Sequence, residues 1–141
     1  MHRDFHVLLI EDNAGHAGQL METLNAMERV YVSWARDRAS ARNLISEHRS
    51  KFDLVILDAA LDPPGLSLDT LDLIDQLFVH NETPSFDGLL VASSGIADYR
   101  KEMLLAGCHR ATTQVRIFVE LEEILSDALE RQITREFPRI P

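Results

Sequence analysis

Short apolar runs alternate with amphipathic stretches along this chain. The runs are rich in valine, isoleucine and leucine and are too short for helices, which is typical of strands covered on both faces in a parallel sheet. Their positions predict five strands. These are Phe5 to Ile10, Val30 to Ala35, Phe52 to Asp58, Gly88 to Ser93 and, more weakly, Arg110 to Thr113.

The stretches between the runs carry apolar residues three and four positions apart, the spacing of a helix with one buried face. Asn13 and Asp37 stand where the first two helices begin and have side chains suited to N-capping. Helices are predicted over about 14–29, 38–49, 68–80, 98–105 and 119–129, with a loop at 81–87 and a loose tail at 132–141.

Strand and helix therefore alternate five times. Such alternation predicts right-handed crossovers and an α/β fold, a doubly wound five-stranded parallel sheet with helices on both faces. A length of 141 residues fits one ordinary domain, predicted to cover 1–141 with a core at about 5–131.

The chain carries a formal net charge of -9. Nucleic acids and anionic membranes are held largely through Lys and Arg, so the charge argues against both and favours a protein partner or a cation. A single cysteine, Cys108, excludes an internal disulfide. No apolar run approaches the roughly 20 residues of a membrane span, and no signal-peptide pattern is present, which predicts a cytoplasmic protein.

Two of the predicted strands end in acid. Glu11 and Asp12 follow the first strand, and Asp58 ends the third. If the strands are neighbours, these carboxylates converge, and two like charges about 4 Å apart repel by roughly 4 kcal/mol at an effective dielectric near 20. A bound proton or a hard cation such as Mg²⁺ would compensate them, and a carboxylate beside Mg²⁺ is equipped to accept a phosphoryl group. The competing interpretation is that the acids are solvated strand ends.

From Phe5 to about Leu129 the chain resembles the receiver domain of two-component response regulators, a flavodoxin-like (βα)5 fold. Leu-Leu-Ile-Glu-Asp-Asn at 8–13 is similar to the acidic pair of that family, and Asp-Leu-Val-Ile-Leu-Asp at 53–58 to its phosphoacceptor strand. Ser-Gly-Ile-Ala-Asp at 94–98 is similar to its fourth-strand switch, and Ala106-Gly107 to the turn before its fifth strand.

The resemblance implies a role for each matching residue. Asp58 becomes the phosphoacceptor, and the switch hydroxyl falls on Ser93 or Ser94; the end of the strand favours Ser93, whereas the following Gly95 favours Ser94. Mg²⁺ is the implied cofactor. Its implied ligands are Glu11, Asp12, Asp58 and the backbone carbonyl of Ala60.

The chain departs from the family's pattern on the far side of this site. The lysine and proline that end the family's fifth strand fall on Gln114 and Val115, and its aromatic switch residue falls on Ala111. A lysine about 4 Å from a phosphoryl oxygen is worth about 1 to 4 kcal/mol, so its loss would weaken the phosphorylated state. Gln114 can donate a neutral hydrogen bond instead, and Arg110 and Arg116 are candidate replacement cations.

The resemblance thus implies a stand-alone response-regulator receiver that is phosphorylated on Asp58 in a two-component phosphorelay. Its donor would be a histidine kinase or phosphotransfer protein, and its output a contact with an unknown downstream protein; a homodimer is also compatible. It would be no enzyme beyond its own phosphoryl transfer and dephosphorylation. The alternatives are a pseudo-receiver that docks on a partner without phosphorylation and, third, a flavodoxin-like cofactor binder.

The six histidines are scattered without paired spacing. They are therefore predicted to be surface or internally bonded residues and not metal ligands. The one expected near the rim of the acidic site is His109.

Overall fold

A computed structural model of the chain describes residues 3–63, 66–78 and 85–136. Within these residues five strands and five α-helices alternate, as the hydrophobic pattern predicts. The strands are β1 (Phe5–Ile10), β2 (Val30–Ala35), β3 (Leu54–Asp58), β4 (Leu89–Ser93) and β5 (Arg110–Thr112). The helices are α1 (Ala14–Asn25), α2 (Arg38–His48), α3 (Leu71–Leu77), α4 (Ala97–Ala106) and α5 (Ile117–Glu136).

The strands form one parallel sheet in the order β2-β1-β3-β4-β5. The predicted doubly wound five-stranded parallel sheet is therefore confirmed. The strand order reverses between β1 and β3, and in such sheets ligands bind beyond the carboxyl ends of the strands at this point.

Successive side chains of each strand enter two separate cores, one on each face of the sheet. Leu9 and Ile56 pack with the apolar faces of α1 and α5, whereas Leu8, Val55 and Leu57 pack with α2, α3 and α4. All five of these side chains are at most 1% exposed. Burial on both faces explains why these strands read as unbroken apolar runs and not as alternating patterns.

Both predicted helix caps are present. Asn13 Oδ1 accepts from the His16 backbone nitrogen at 3.0 Å, and Asp37 Oδ1 accepts from that of Ser40 at 2.7 Å. The prediction that α1 reaches residue 29 was wrong. Arg29 takes a left-handed φ of 64° and its carbonyl accepts from the Phe5 nitrogen at 2.8 Å, so the chain has already turned into β2.

The tail predicted to be loose from residue 132 is helical as far as Glu136, because α5 is held to the sheet there. Gln132 donates its side-chain amide to the Asp4 carbonyl at 3.2 Å, and Arg135 forms an ion pair with the buried Asp53. Residues 137–141 lie outside the described residues.

Gly88, predicted as the first residue of the fourth strand, lies just before β4. A β-carbon on Gly88 would lie 2.6 Å from the Asp53 carbonyl oxygen and 2.7 Å from that of Phe52. Only glycine allows the backbone to approach β3 this closely. None of the described helices is long and apolar enough to cross a membrane.

Candidate functional site

The acidic ends of β1 and β3 converge. Ile10 and Leu57 are register partners in these adjacent strands, so the residues that follow them leave the sheet side by side. Carboxylate oxygens of Glu11, Asp12 and Asp58 lie within 4.8 Å of one another. The strand order thus creates the acidic cluster that the two strand endings predict.

Asp58 is the electrostatically perturbed member of this cluster. It is 8% exposed, and its pKa is raised well above the usual range, first by burial and then by the Glu11 and Asp12 carboxylates. Glu11 is 3% exposed, and its Oε2 has no hydrogen-bond partner among the described residues. Crowded carboxylates with an unpartnered buried oxygen fit a hard cation, since such cations take oxygen ligands.

Ser93 and Ser94 differ in where their hydroxyls go. Ser93 is the register partner of Asp58, so the two side chains leave the same face of the sheet, and the buried Ser93 Oγ has no partner among the described residues. Ser94 Oγ instead accepts from the Ile96 nitrogen at 3.1 Å, at the start of α4. The geometry therefore favours Ser93 as the hydroxyl available to a group on Asp58.

Gln114 reaches the acidic cluster from beyond β5. Its Nε2 donates to Asp58 Oδ1 at 3.4 Å, a long hydrogen bond. The two candidate replacement cations lie elsewhere, because Arg110 and Arg116 both form ion pairs with Glu120 of α5, at 3.3 Å and 3.4 Å. Among the described residues, none of the ion pairs involves Asp58.

The loop after β3 is hydrogen-bonded to the residues before α3, an arrangement that no sequence pattern indicated. Asp69 and Thr70, predicted to be helical, precede the helix and bond to the loop instead. The Asp69 carboxylate accepts from the Leu61 nitrogen, and the buried Thr70 hydroxyl donates to the Asp58 carbonyl, both at 2.8 Å. Ala60, the implied carbonyl ligand, lies within this loop and is 7% exposed.

Two aromatic side chains border Glu11, and neither was predicted to lie at the site. Trp34 of β2 donates its indole N–H to the Glu11 carbonyl at 2.7 Å. His16 of α1 places Nε2 3.7 Å from Glu11 Oε1 and packs edge-on against Phe118 of α5, with ring centroids 5.7 Å apart. A single histidine in a helix does not indicate such a position, because His16 and Phe118 are distant in sequence and come together only when the chain folds.

The expectation for His109 was wrong. It precedes β5 and therefore lies where the strands begin, at the opposite end of the sheet from the acidic cluster. Its Nδ1 accepts from the Leu90 nitrogen at 2.8 Å, and its ring packs edge-on against Phe78. Burial and the nearby Arg131 lower the pKa of His109, in the direction that favours an Nδ1 able to accept this hydrogen bond.

Solved structures that resemble this chain include receiver domains of response regulators. The receiver domain of an HD domain-containing protein from Pseudomonas fluorescens has a TM-score of 0.75 and 22% identity, covering 99% of this chain and 96% of that one. A Burkholderia pseudomallei response regulator with a phosphorylated aspartic acid, a calcium ion and citrate has a TM-score of 0.65 and 22% identity, covering 97% and 76%.

A third resembling structure is a complex. It contains a Saccharomyces cerevisiae histidine phosphotransfer protein and the receiver domain of its downstream response regulator; the match has a TM-score of 0.69 and 18% identity, covering 89% of this chain and 90% of that one. No protein-family model and no curated protein sequence matches this chain. On these comparisons and on its strand order, the chain has the fold of the response-regulator receiver domains.

Proposed function

We propose that this protein is a receiver in two-component signalling that accepts a phosphoryl group on Asp58 in the presence of Mg²⁺. The observation that carries the proposal is the placement of Asp58. Its carboxylate lies at the end of a buried strand, within 4.8 Å of two further carboxylates and in contact with a neutral amide donor. Three crowded carboxylates repel one another, so a bound proton or cation has to offset them.

The chemistry is a transfer from phosphohistidine. One Asp58 carboxylate oxygen forms a bond to phosphorus while the bond from phosphorus to the donor's imidazole nitrogen breaks, and the nitrogen keeps the electron pair. Asp58 has to be ionised to supply its own pair, although burial and Glu11 and Asp12 raise its pKa. Whatever offsets these neighbouring charges therefore also activates the acceptor.

Residues at the end of β4 and just beyond β5 supply hydrogen-bond donors for the product. Ser93, in register with Asp58, has an unpartnered hydroxyl, and Gln114 has an amide N–H already directed at Asp58 Oδ1. Both would donate to phosphoryl oxygens. The amide of Gln114 carries no charge, so the product is held less tightly than it would be by a lysine.

Mg²⁺ would be held by Glu11, Asp12, Asp58 and the Ala60 carbonyl, and it would offset the repulsion among the carboxylates and the charge of the phosphoryl group. The donor is a histidine kinase or a phosphotransfer protein, like the one bound to the resembling yeast receiver domain. Output is a contact with a downstream protein through the face of α4, β5 and α5, which exposes Leu105 and Val119.

The test is adduct formation on the whole chain. The protein is incubated with Mg²⁺ and a small phosphodonor or beryllofluoride, and its intact mass or fluorescence is compared with that of Asp58→Asn. A matched control is Asp53→Asn, which removes an aspartate from the other end of the same strand stretch. An adduct in the wild type and in Asp53→Asn, but not in Asp58→Asn, supports the proposal; no adduct at any donor concentration ends it.

A pseudo-receiver, which docks on its partner without phosphorylation, is the second candidate. The neutral Gln114 at the acidic site favours it, because a phosphoryl group there would lack a cationic contact from β5. Under this function Asp58→Asn leaves partner binding unchanged, whereas under the first function it removes the response to the phosphodonor.

A further inference from the structure

The chain that leaves β3 is held by two adjacent residues before α3, Asp69 and Thr70, through four backbone groups of residues 58–62. Thr70 Oγ1 donates to the carbonyls of Asp58 at 2.8 Å and Ala59 at 3.2 Å. The Asp69 nitrogen donates to the same Ala59 carbonyl at 3.0 Å. The carbonyls of the last residue of β3 and of the residue after it are thus held by donors just before α3.

The Asp69 carboxylate holds the other two groups. Its Oδ1 accepts from the Leu61 nitrogen and its Oδ2 from the Asp62 nitrogen, each at 2.8 Å. Both oxygens are used, so the carboxylate sits across two successive peptide units. We call Asp69 and Thr70 the loop clamp.

The loop clamp fixes the direction of the Ala60 carbonyl. This carbonyl shares a peptide unit with the Leu61 N–H, and in a trans peptide the two groups point in opposite directions. Because the N–H points at Asp69, the Ala60 carbonyl points away from it. Among the described residues, the Asp58 and Ala59 carbonyls accept hydrogen bonds and the Ala60 carbonyl accepts none, so it is available to a ligand.

The loop clamp is itself anchored. Arg38, at the start of α2, donates to the Asp69 carbonyl and pairs with the Asp72 carboxylate in the first turn of α3. Thr70 is completely buried. The clamp is therefore a fixed part of the fold and not a surface turn.

We infer that Asp69 and Thr70 are positioning residues that hold the Ala60 carbonyl as a ligand for the divalent cation at Asp58. The inference rests on the proposed function, since it concerns the same cation. Residues that orient metal ligands without touching the metal typically change its affinity by about 10- to 100-fold when they are replaced. The loop clamp orients a backbone ligand in this way.

The test compares Asp69→Asn with Asp62→Asn in the whole chain. Both remove one negative charge from the same loop, but Asp62 is exposed and pairs with Arg38 at 3.8 Å, and among the described residues its carboxylate accepts from none of the loop nitrogens. Asparagine has one acceptor oxygen and turns an N–H group toward the other backbone N–H, so Asp69→Asn keeps at most one of the two hydrogen bonds and sets two donors against each other. Mg²⁺ affinity, measured by calorimetry, is expected to fall by about 10-fold or more in Asp69→Asn and by less than about 3-fold in Asp62→Asn.

Thr70→Val and Thr70→Ser test the second residue. Valine keeps the shape without the hydroxyl and is expected to weaken Mg²⁺ binding, whereas serine restores the hydroxyl and the affinity. The free energy of unfolding of each variant in excess chelator shows whether weaker Mg²⁺ binding comes only from a loss of stability.

A separate measurement on Asp69→Asn uses Mn²⁺ in place of Mg²⁺. Loss of the carbonyl ligand is expected to add one bound water to Mn²⁺, which water-proton relaxation detects.

Equal Mg²⁺ affinity in Asp69→Asn and Asp62→Asn overturns the inference, and so does a wild type that binds no Mg²⁺. A wild type that binds no Mg²⁺ contradicts the proposed function as well. A wild type that binds Mg²⁺ and forms no Asp58 adduct contradicts the proposed function alone, whereas equal affinities beside a normal Asp58 adduct contradict the inference alone.

Discussion

Gln114 donates its side-chain amide to Asp58 Oδ1 across 3.4 Å. The contact joins the residue beyond β5 to the end of β3 without adding a positive charge. The site is therefore acidic on the side of β1 and neutral on the side of β5.

Replacing Gln114 with lysine is expected to tighten the beryllofluoride adduct by about 5-fold or more, since a charge about 4 Å away is worth about 1 to 4 kcal/mol. Fluorescence titration of the adduct measures the change. Gln114→Met, similar in size and without a donor, is the control and is expected to weaken the adduct. Equal affinities in all three proteins would show that this side chain does not contact the adduct.

Asp58→Asn is expected to raise the free energy of unfolding of the metal-free protein by about 1 to 3 kcal/mol at pH 7. The folded pKa of Asp58 lies above its unfolded value, so its contribution to stability is present below about pH 4 and is lost as pH rises toward the folded pKa. The gain from Asp58→Asn therefore grows from pH 5 to pH 8 in urea unfolding with chelator. Saturating Mg²⁺ is expected to shrink it.

Asp53→Asn is expected to lower the free energy of unfolding, the opposite of the effect expected for Asp58→Asn. Asp53 is 4% exposed, pairs with Arg135 and accepts from the His6 nitrogen at 2.9 Å. Its replacement is expected to cost about 1 to 3 kcal/mol, because it leaves Arg135 without its charge partner. Stabilisation by both substitutions would contradict the electrostatic account of the two strand ends.

Ser93→Ala and Ser94→Ala distinguish the two candidate hydroxyls. Ser93→Ala removes a buried hydroxyl with no partner among the described residues, so the metal-free protein is expected to be as stable as the wild type or more so, while its beryllofluoride adduct weakens. Ser94→Ala removes the acceptor for the Ile96 nitrogen and is expected to cost about 1 kcal/mol with little effect on the adduct. The reverse pattern would assign the contact to Ser94.

Gly88→Ala tests the close approach of the backbone just before β4 to the backbone just before β3, and Gly18→Ala in α1 is its control. Gly88→Ala forces a β-carbon to 2.6 Å from a backbone oxygen and is expected to cost about 2 kcal/mol or more. Gly18→Ala in α1 meets nothing within 4 Å and is expected to stabilise by about 0.5 to 1 kcal/mol. Thermal unfolding measures both, and a tolerated Gly88→Ala would contradict the contact.

Local pattern was sufficient for the sheet and for the acidic cluster. Unbroken apolar runs mark strands buried on both faces, and the strand order then brings Glu11 and Asp58 together. The roles of Asp69 and Thr70 could not be read in this way, because an apolar periodicity beginning at Leu68 also allows them to be helical. Their hydrogen bonds to the loop compete with the first helical turn, and only the packed structure shows which prevails.

Contacts distant in sequence account for the other differences. The Arg135 to Asp53 ion pair, which extends α5 beyond the predicted core, joins residues 82 positions apart. His16 meets Glu11 because α1 passes over the end of β1, and Phe118 because α5 lies beside α1. Neither relationship leaves a periodic trace in the sequence.

Helix α5 has 20 residues and is therefore about 30 Å long. It begins three residues after Gln114, which contacts Asp58, and near its other end Arg135 forms an ion pair with Asp53. The segment from Gln114 to Arg135 therefore contacts both ends of the β3 stretch. One contact is a hydrogen bond at the acidic end and the other an ion pair at the opposite end, so the loss of one leaves the other to hold the helix along the strand.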